Sequence, residues 1–180
     1  MLSLLLGGCA APQIAPLPLD VARESPSAFE LQGRIGVRYG EEGFSGNLSW
    51  RHDGRADEIL LRSPLGQAVA RIERNAAGVT LDVPDGHYEA PDAMELTERV
   101  LGWRLPLEGM QYWVIGRAAP NIPAQFERDD SSHVVRLRQQ GWEVQYRDYR
   151  MEGRYLLPAR VTMRNGTLEL KLVADEWTLP

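Results

Sequence analysis

Apolar and polar residues alternate with a period of two along most of this chain. Only an extended strand with one face on a core and the other in water reads that way. Phe29, Leu31, Gly33, Ile35, Val37 and Tyr39 fall on one face, and Glu30, Gln32, Arg34 and Arg38 on the other. After a turn at 40–43, Phe44, Gly46, Leu48 and Trp50 alternate with Ser45, Asn47, Ser49 and Arg51. His52-Asp53-Gly54 turns the chain again. Short strands are expected at 59–61, at 67–73 with Ala68, Ala70 and Ile72 inward, at 79–83 and at 87–89. Gly33, Gly36 and Gly46, inside strands, predict bends or bulges of a curled sheet.

The period changes at Pro91. Ala93, Leu96, Val100 and Trp103 keep helical spacing, with Asp92 and Glu95 in or near the first turn and Gly102 as the stop. Pro106 opens a second short helix with Met110, Trp113 and Val114 on one side and Gly116 after it. Pro120 and Pro123 mark a loop. Strands resume at 125–127, 134–139, 142–149, 159–163 and 167–172, and Asn165-Gly166 is a hairpin signal. The order is about six strands, two helices, then about five strands, with no repeat and one domain. Hairpin-linked strands suit a sandwich or barrel. Two short helices are too few to cover eleven strands, but they can cap one end of a curled sheet. Its apolar interior is then either a packed core or a pocket.

Composition narrows the function classes. With 20 Lys+Arg against 25 Asp+Glu the formal charge is −5, which argues against a nucleic-acid partner. One cysteine excludes an internal disulfide framework. No run of about 18 to 20 apolar residues predicts a helical membrane span. His52, His87 and His133 sit in or beside turns or at a strand start, read as surface residues, and fit no metal spacing. Glu41-Glu42 and Asp129-Asp130 read as solvated turns. Arg34 and Arg38 read as solvent-facing or as leaning into a cavity rim. No coherent acid, base and nucleophile set appears, so no enzyme and no cofactor is expected. The tryptophans, Trp50, Trp103, Trp113, Trp142 and Trp177, belong either to a core or to a cavity wall. Leu65 stands between Pro64 and Gly66 at a turn that favours small polar residues, and either tucks back or projects.

The N-terminus reads as a targeting segment. Leu2 to Leu6 are apolar except Ser3, and Gly7 and Gly8 precede Cys9. Leu6-Gly7-Gly8-Cys9 resembles the lipobox of bacterial lipoproteins, which implies acylation of Cys9 and cleavage before it. The bland alternative is a solvated terminus with an incidental cysteine. No Lys or Arg precedes Cys9 and the apolar run is short, so residues 1–8 are expected to be a remnant of a signal peptide. Pro12, Pro16 and Pro18 make residues 9–28 an extended tether that reaches at most about 60 Å at roughly 3.1 Å per residue.

Several segments in order are similar to the LolB family of outer-membrane lipoproteins. They are FELQGRIGV at 29–37, GNLSW at 46–50, SPLG at 63–66, LGWRLP at 101–106, YWVIG at 112–116 and QGWEVQY at 140–146, followed by Leu157-Pro158 and the stretch 169–177. The resemblance covers nearly all of 29–180. It implies a mainly β, incompletely closed antiparallel barrel of about eleven strands with a short helical lid near 91–116. It also implies a function: acceptance of lipoproteins from the periplasmic carrier LolA in a hydrophobic cavity and their insertion into the outer membrane. The implied partners are LolA, acylated cargo and outer-membrane phospholipid, and a monomer is expected. Ala10, after the acylated cysteine, fits outer-membrane sorting, on the periplasmic face. Leu65, with Pro64 and Gly66, matches the family's exposed leucine loop tied to membrane delivery. Candidates to line the acyl-chain cavity are Ile35, Val37, Leu48, Trp50, Leu96, Val100, Trp113, Val114, Trp142 and Val144. Two alternatives remain open: a lipid-anchored carrier of another apolar ligand, and a non-transporting subunit of an envelope assembly.

Overall fold

The computed structural model describes residues 25–180. The expectations for the signal remnant, Cys9 and residues 10–24 of the tether lie outside the described residues. The elements run β1 Phe29–Tyr39, β2 Glu42–His52, β3 Asp57–Arg62, β4 Ala68–Asn75, β5 Gly78–Val83 and β6 Gly86–Ala90. Helices α1 Ala93–Leu101 and α2 Leu107–Trp113 follow, then β7 Gln125–Arg128, β8 Val134–Gln139, β9 Trp142–Glu152, β10 Tyr155–Asn165 and β11 Leu168–Thr178. The strands form one antiparallel sheet ordered β6-β5-β4-β3-β2-β1-β11-β10-β9-β8-β7. Strands β6 and β7 are its two edges and do not pair, so the barrel is not closed. Inward residues from both halves of the sheet and from both helices form a single core, so the sheet curls around its own apolar face.

The period-two pattern decides which side faces in. On β1 it buries Phe29, Leu31, Ile35 and Val37, and on β11 Leu168, Leu170 and Leu172. The outer face carries charges in cross-strand pairs such as Arg51–Glu58 at 2.9 Å and Arg136–Glu127 at 2.6 Å. Such exposed pairs contribute little stability each and keep the outer face wet. Two expected inward positions are exposed, and a third is inward but outside its expected helix. Tyr39 is 45% exposed at the end of β1. Ala68 is exposed because the β3–β4 register shifts at Leu61/Arg62. Trp103 is buried but lies beyond α1, which ends at Leu101.

Glycine and proline act where two backbones meet. The β1–β11 register slips at Gln32/Gly33, leaving Asp175 without an opposite residue. A Cβ on Gly33 would overlap the Val173 carbonyl. The slip resets the alternation on β11, so Asp175 and Glu176 both face water and Trp177 points in. Arg34 then grips Asp175 with two bonds of 2.8 and 3.0 Å. Gly46 is required in the same way by the Arg62 carbonyl, whereas Gly36 has open space and lies at no register shift. Strand β10 starts earlier than the sequence pattern suggests and includes Pro158. Its pairing with β11 begins only at Arg160, so the missing N–H of Pro158 breaks no bond on that side. Arg150 donates to the Ala174 carbonyl at 2.6 Å where that ladder has ended.

The helices are stopped as the sequence predicts. The Asp92 carboxylate accepts from Glu95 N at 2.8 Å, and Gly102 at φ 81° donates to Glu98 O. Thr97, buried on α1, accepts from Leu105 N at 2.9 Å and so fixes the link to α2. Gln139 clamps the far end. Its Oε1 accepts from Trp113 Nε1 and Ala119 N, and its Nε2 donates to Ala119 O and Ile122 O, all at 2.8 to 3.0 Å. Every polar bond it can make in that buried site is thus used.

A second buried polar group ties β2, β3 and β4 to the helices. Asp57, fully enclosed, accepts from Trp50 Nε1 and His52 Nδ1 at 2.8 Å and from Arg74 Nε at 2.7 Å. Arg74 reaches on to Gln111 of α2 at 3.3 Å. His52 is therefore a buried partner and not the surface residue that its place beside a turn suggests. Burial alone would raise the Asp57 pKa, but the bonds from His52 and Trp50 and the Arg74 charge outweigh it and hold the carboxyl below its usual value. A depressed carboxylate stabilises the fold fully above the unfolded pKa of about 4, and that contribution is lost as pH falls through the lower folded value. Asp57→Asn is expected to cost about 2 to 3 kcal/mol at neutral pH, since it leaves half-buried Arg74 without its carboxylate. Urea melts from neutral pH down to about pH 3 should show the difference between wild type and variant narrowing in acid.

Candidate functional site

A cleft of about 680 Å³ opens where the helices meet the rim of the sheet. That is within the roughly 300 to 1,000 Å³ of ligand sites. Val79, Ala93, Trp103, Leu107, Trp142 and Leu168 give it apolar walls, and Arg74, Glu98, Arg104, Glu108, Gln140 and Asn165 a polar border. One side is helical and the other is made of turns: β4–β5 at Asn75 to Gly78, β8–β9 at Gln140 and β10–β11 at Asn165 to Thr167. Glu98 and Arg104 face each other at 3.5 Å across the end of α1.

The ten cavity candidates divide. Trp142 lines the cleft. Ile35, Val37, Leu48 and Trp50 are packed on the inner face of β1 and β2, and Val144 on that of β9. Leu96, Trp113 and Val114 are fully buried on the helical segment, and Val100 packs half-buried against the same core. These side chains form one continuous apolar interior that the helices cover, with the cleft at its margin. Trp113 joins the two regions: its ring lies 5.7 Å from that of Trp142. The sequence pattern missed the cleft border, because Arg74, Gln140 and Asn165 come from turns or strand ends far apart in the chain.

The β3–β4 hairpin settles the two readings of Leu65. Gly66 N donates to Ser63 O, and Ser63 N to Gln67 O, both at 2.8 Å. Pro64 presets the first central position and Gly66 takes φ 86°. Ser63 Oγ also accepts from Gln67 N at 3.3 Å, no bond of the turn involves the Leu65 side chain, and Leu65 is 89% exposed at its tip. No other large apolar side chain among the described residues is as exposed.

The remaining titratable groups support local structure. His87 bridges Asp82 at 2.6 Å and Glu89 at 3.1 Å on the edge pair β5–β6, and those bonds raise its pKa. Asp129 accepts from His133 N and Ser131 N, which lower its pKa and shape the β7–β8 turn. Arg34 and Arg38 pair with Asp175 and Glu169 on the outer face, away from the cleft. No group of three or more metal-ligating side chains occurs among the described residues.

Comparison with known proteins gives a consistent result. The family model for outer membrane lipoprotein LolB matches residues 27–177. An outer-membrane lipoprotein LolB of Nitrosomonas europaea is 39% identical, over 97% of this chain and 88% of that protein. The LolB of Thiobacillus denitrificans is also 39% identical, over 96% and 91%. Among solved structures, a LolA superfamily protein of Nitrosomonas europaea superposes with a TM-score of 0.54 at 11% identity, covering 88% of each chain. At that identity the likeness concerns the fold.

Gly109 marks how tightly the cleft joins the interior. Glycine inside a helix costs about 1 kcal/mol against alanine. Here a Cβ would lie 2.5 to 2.9 Å from the Trp113 indole, which folds back across that position. Gly109→Ala is therefore expected to destabilise by about 1 to 3 kcal/mol, the cost of overpacking, where helix propensity alone predicts a gain. Thermal melts test the sign, and near-ultraviolet circular dichroism should report the displaced Trp113.

Proposed function

The chain belongs to the LolB family of outer membrane lipoproteins, and on that premise we propose that it takes acylated lipoproteins from LolA into its apolar interior and delivers them to the outer membrane. The observation that carries this reading is an unclosed barrel whose continuous apolar face is covered by two short helices. Helices α1 and α2 lie in the segment that links the unpaired edges β6 and β7 and pack on the core without joining the sheet, so displacing them exposes apolar surface without breaking a strand ladder. The cleft is the mouth. Trp142 is met first, then Trp113, Val114, Leu96 and Val100 under the helices, and Ile35, Val37, Leu48, Trp50 and Val144 deeper on the sheet. The protein acts as a monomer, tethered by acylated Cys9 on the periplasmic face of the outer membrane.

The energetics favour direct exchange. Each CH₂ of an acyl chain is worth about 0.8 kcal/mol in an apolar phase, so passage through water is prohibitive. Transfer from one apolar cavity to another, and then to a bilayer, keeps the net change small and requires no nucleotide. Leu65 serves the last step. Burying one leucine gains about 1.5 to 3 kcal/mol, enough to dip a hairpin tip into the membrane briefly and too little to anchor it.

The test mixes full-length protein carrying Cys9→Ala with LolA preloaded with a labelled lipoprotein. Label is expected to move to the acceptor without ATP and to leave it when phospholipid vesicles are added. Label that stays on LolA while both proteins are folded would overturn the reading. Uptake of free fatty acid in place of acylated protein would favour the general lipid carrier. Leu65→Glu is expected to accept label normally but to release it to vesicles about tenfold to a hundredfold more slowly.

A further inference from the structure

The β3–β4 hairpin carries a second feature beside its exposed leucine. Strands β1 to β4 contain six arginines: Arg34, Arg38, Arg51, Arg62, Arg71 and Arg74. Five have a carboxylate partner: Asp175 for Arg34, Glu169 for Arg38, Glu58 for Arg51 and Arg71, and Asp57 for Arg74. Arg62 has none among the described residues. Its guanidinium donates to the Ser49 hydroxyl at 2.9 Å, and Ser49 donates to Gln32 Oε1 at 2.6 Å, a wholly neutral chain. Arg62 ends β3, three residues before Leu65.

The neighbouring tips differ in charge. In a meander, the β1–β2, β3–β4 and β5–β6 turns lie along the same margin of the sheet. The first carries exposed Glu41 and Glu42, and the last exposed Asp85. Only the tip between them combines an exposed apolar side chain with an uncompensated cation and no carboxylate. A bilayer surface offers phosphodiester anions at the depth where a dipped leucine ends. Arg62 can exchange its neutral bond to Ser49 for a charge-assisted one to a phosphate, a stronger bond of a geometry guanidinium suits.

We propose that Arg62 is a phospholipid-phosphate contact that works with Leu65 when the hairpin meets the membrane, while Glu41, Glu42 and Asp85 keep the flanking tips off an anionic surface. This rests on the delivery role given to Leu65 above. Among these three tips contact is thereby confined to one, which favours an encounter that ends once cargo has left.

The experiment measures co-sedimentation of full-length protein carrying Cys9→Ala with two kinds of vesicle. One is phosphatidylcholine alone, and the other has about one quarter phosphatidylglycerol, the range in which a single cation gains roughly 1 kcal/mol. Arg62→Gln, which can still bond Ser49, should lose about fivefold in binding to the anionic vesicles, and Arg62→Lys should recover most of it. The loss should fade in high salt. Glu41→Gln with Glu42→Gln should strengthen anionic binding. Equal binding of Arg62→Gln and wild type to anionic vesicles, with both folded by thermal melt, would overturn the inference and leave the Leu65 reading intact. Unchanged binding and release by Leu65→Glu would instead overturn the reading on which it rests.

Discussion

The first and last strands, β1 and β11, pair antiparallel from Glu30–Thr178 to Tyr39–Leu168, and the rest of the domain is arranged around that ladder. Each half of the chain is a meander that grows outward from it. Because the halves grow in opposite directions, the two sheet edges, β6 and β7, are the strands nearest the middle of the sequence. The segment between them must cross from one edge to the other. That segment holds α1 and α2, so a barrel left open and helices lying over its interior are two results of one topology. Strands β6 and β7 are five and four residues long, and short edges discourage pairing with other chains.

The helical cover is held by polar bonds at its ends and by apolar packing between them. Gln139 secures the end of α2 and the loop beyond it, Arg74 reaches Gln111 on α2 from the buried Asp57, and Thr97 fixes the link between the helices. The interior beneath consists of side chains that pack equally well against one another or against an acyl chain, since dispersion and burial are not directional. On the proposed function, a cover fixed at a few points over a non-specific apolar face suits cargo whose lipid is constant and whose protein part varies. The outer face, with its cross-strand ion pairs, has no such adaptability and serves solubility.

Much of this was legible along the chain, and the failures have specific causes. Strand phase followed from side-chain alternation, and the limits of α1 from Asp92 and Gly102, because these are local effects. The alternation failed at Ala68 and shortened β11, where one-residue slips reset the phase. It also stopped β10 short of Pro158, whose missing N–H is harmless only because β11 has no ladder there. His52 looked like a turn residue until Asp57, five positions on, enclosed it across the β2–β3 pair. The prominence of Leu65 was only half legible: an apolar residue in a tight turn is visible in sequence, but whether anything covers it is not.

The sequence by itself determined the strand and helix order, the inward and outward faces, the caps, the odd leucine and the family resemblance, since each depends on neighbours in the chain or on an ordered set of short motifs. The tertiary structure decided which strands became edges, how Arg74, Gln140 and Asn165 came to border one cleft, and that Arg62, alone of the six arginines on β1 to β4, lacks a carboxylate partner among the described residues. Those properties arise from register and sheet curvature, which bring together residues as far apart in the chain as Glu30 and Thr178, and no local pattern encodes such distances.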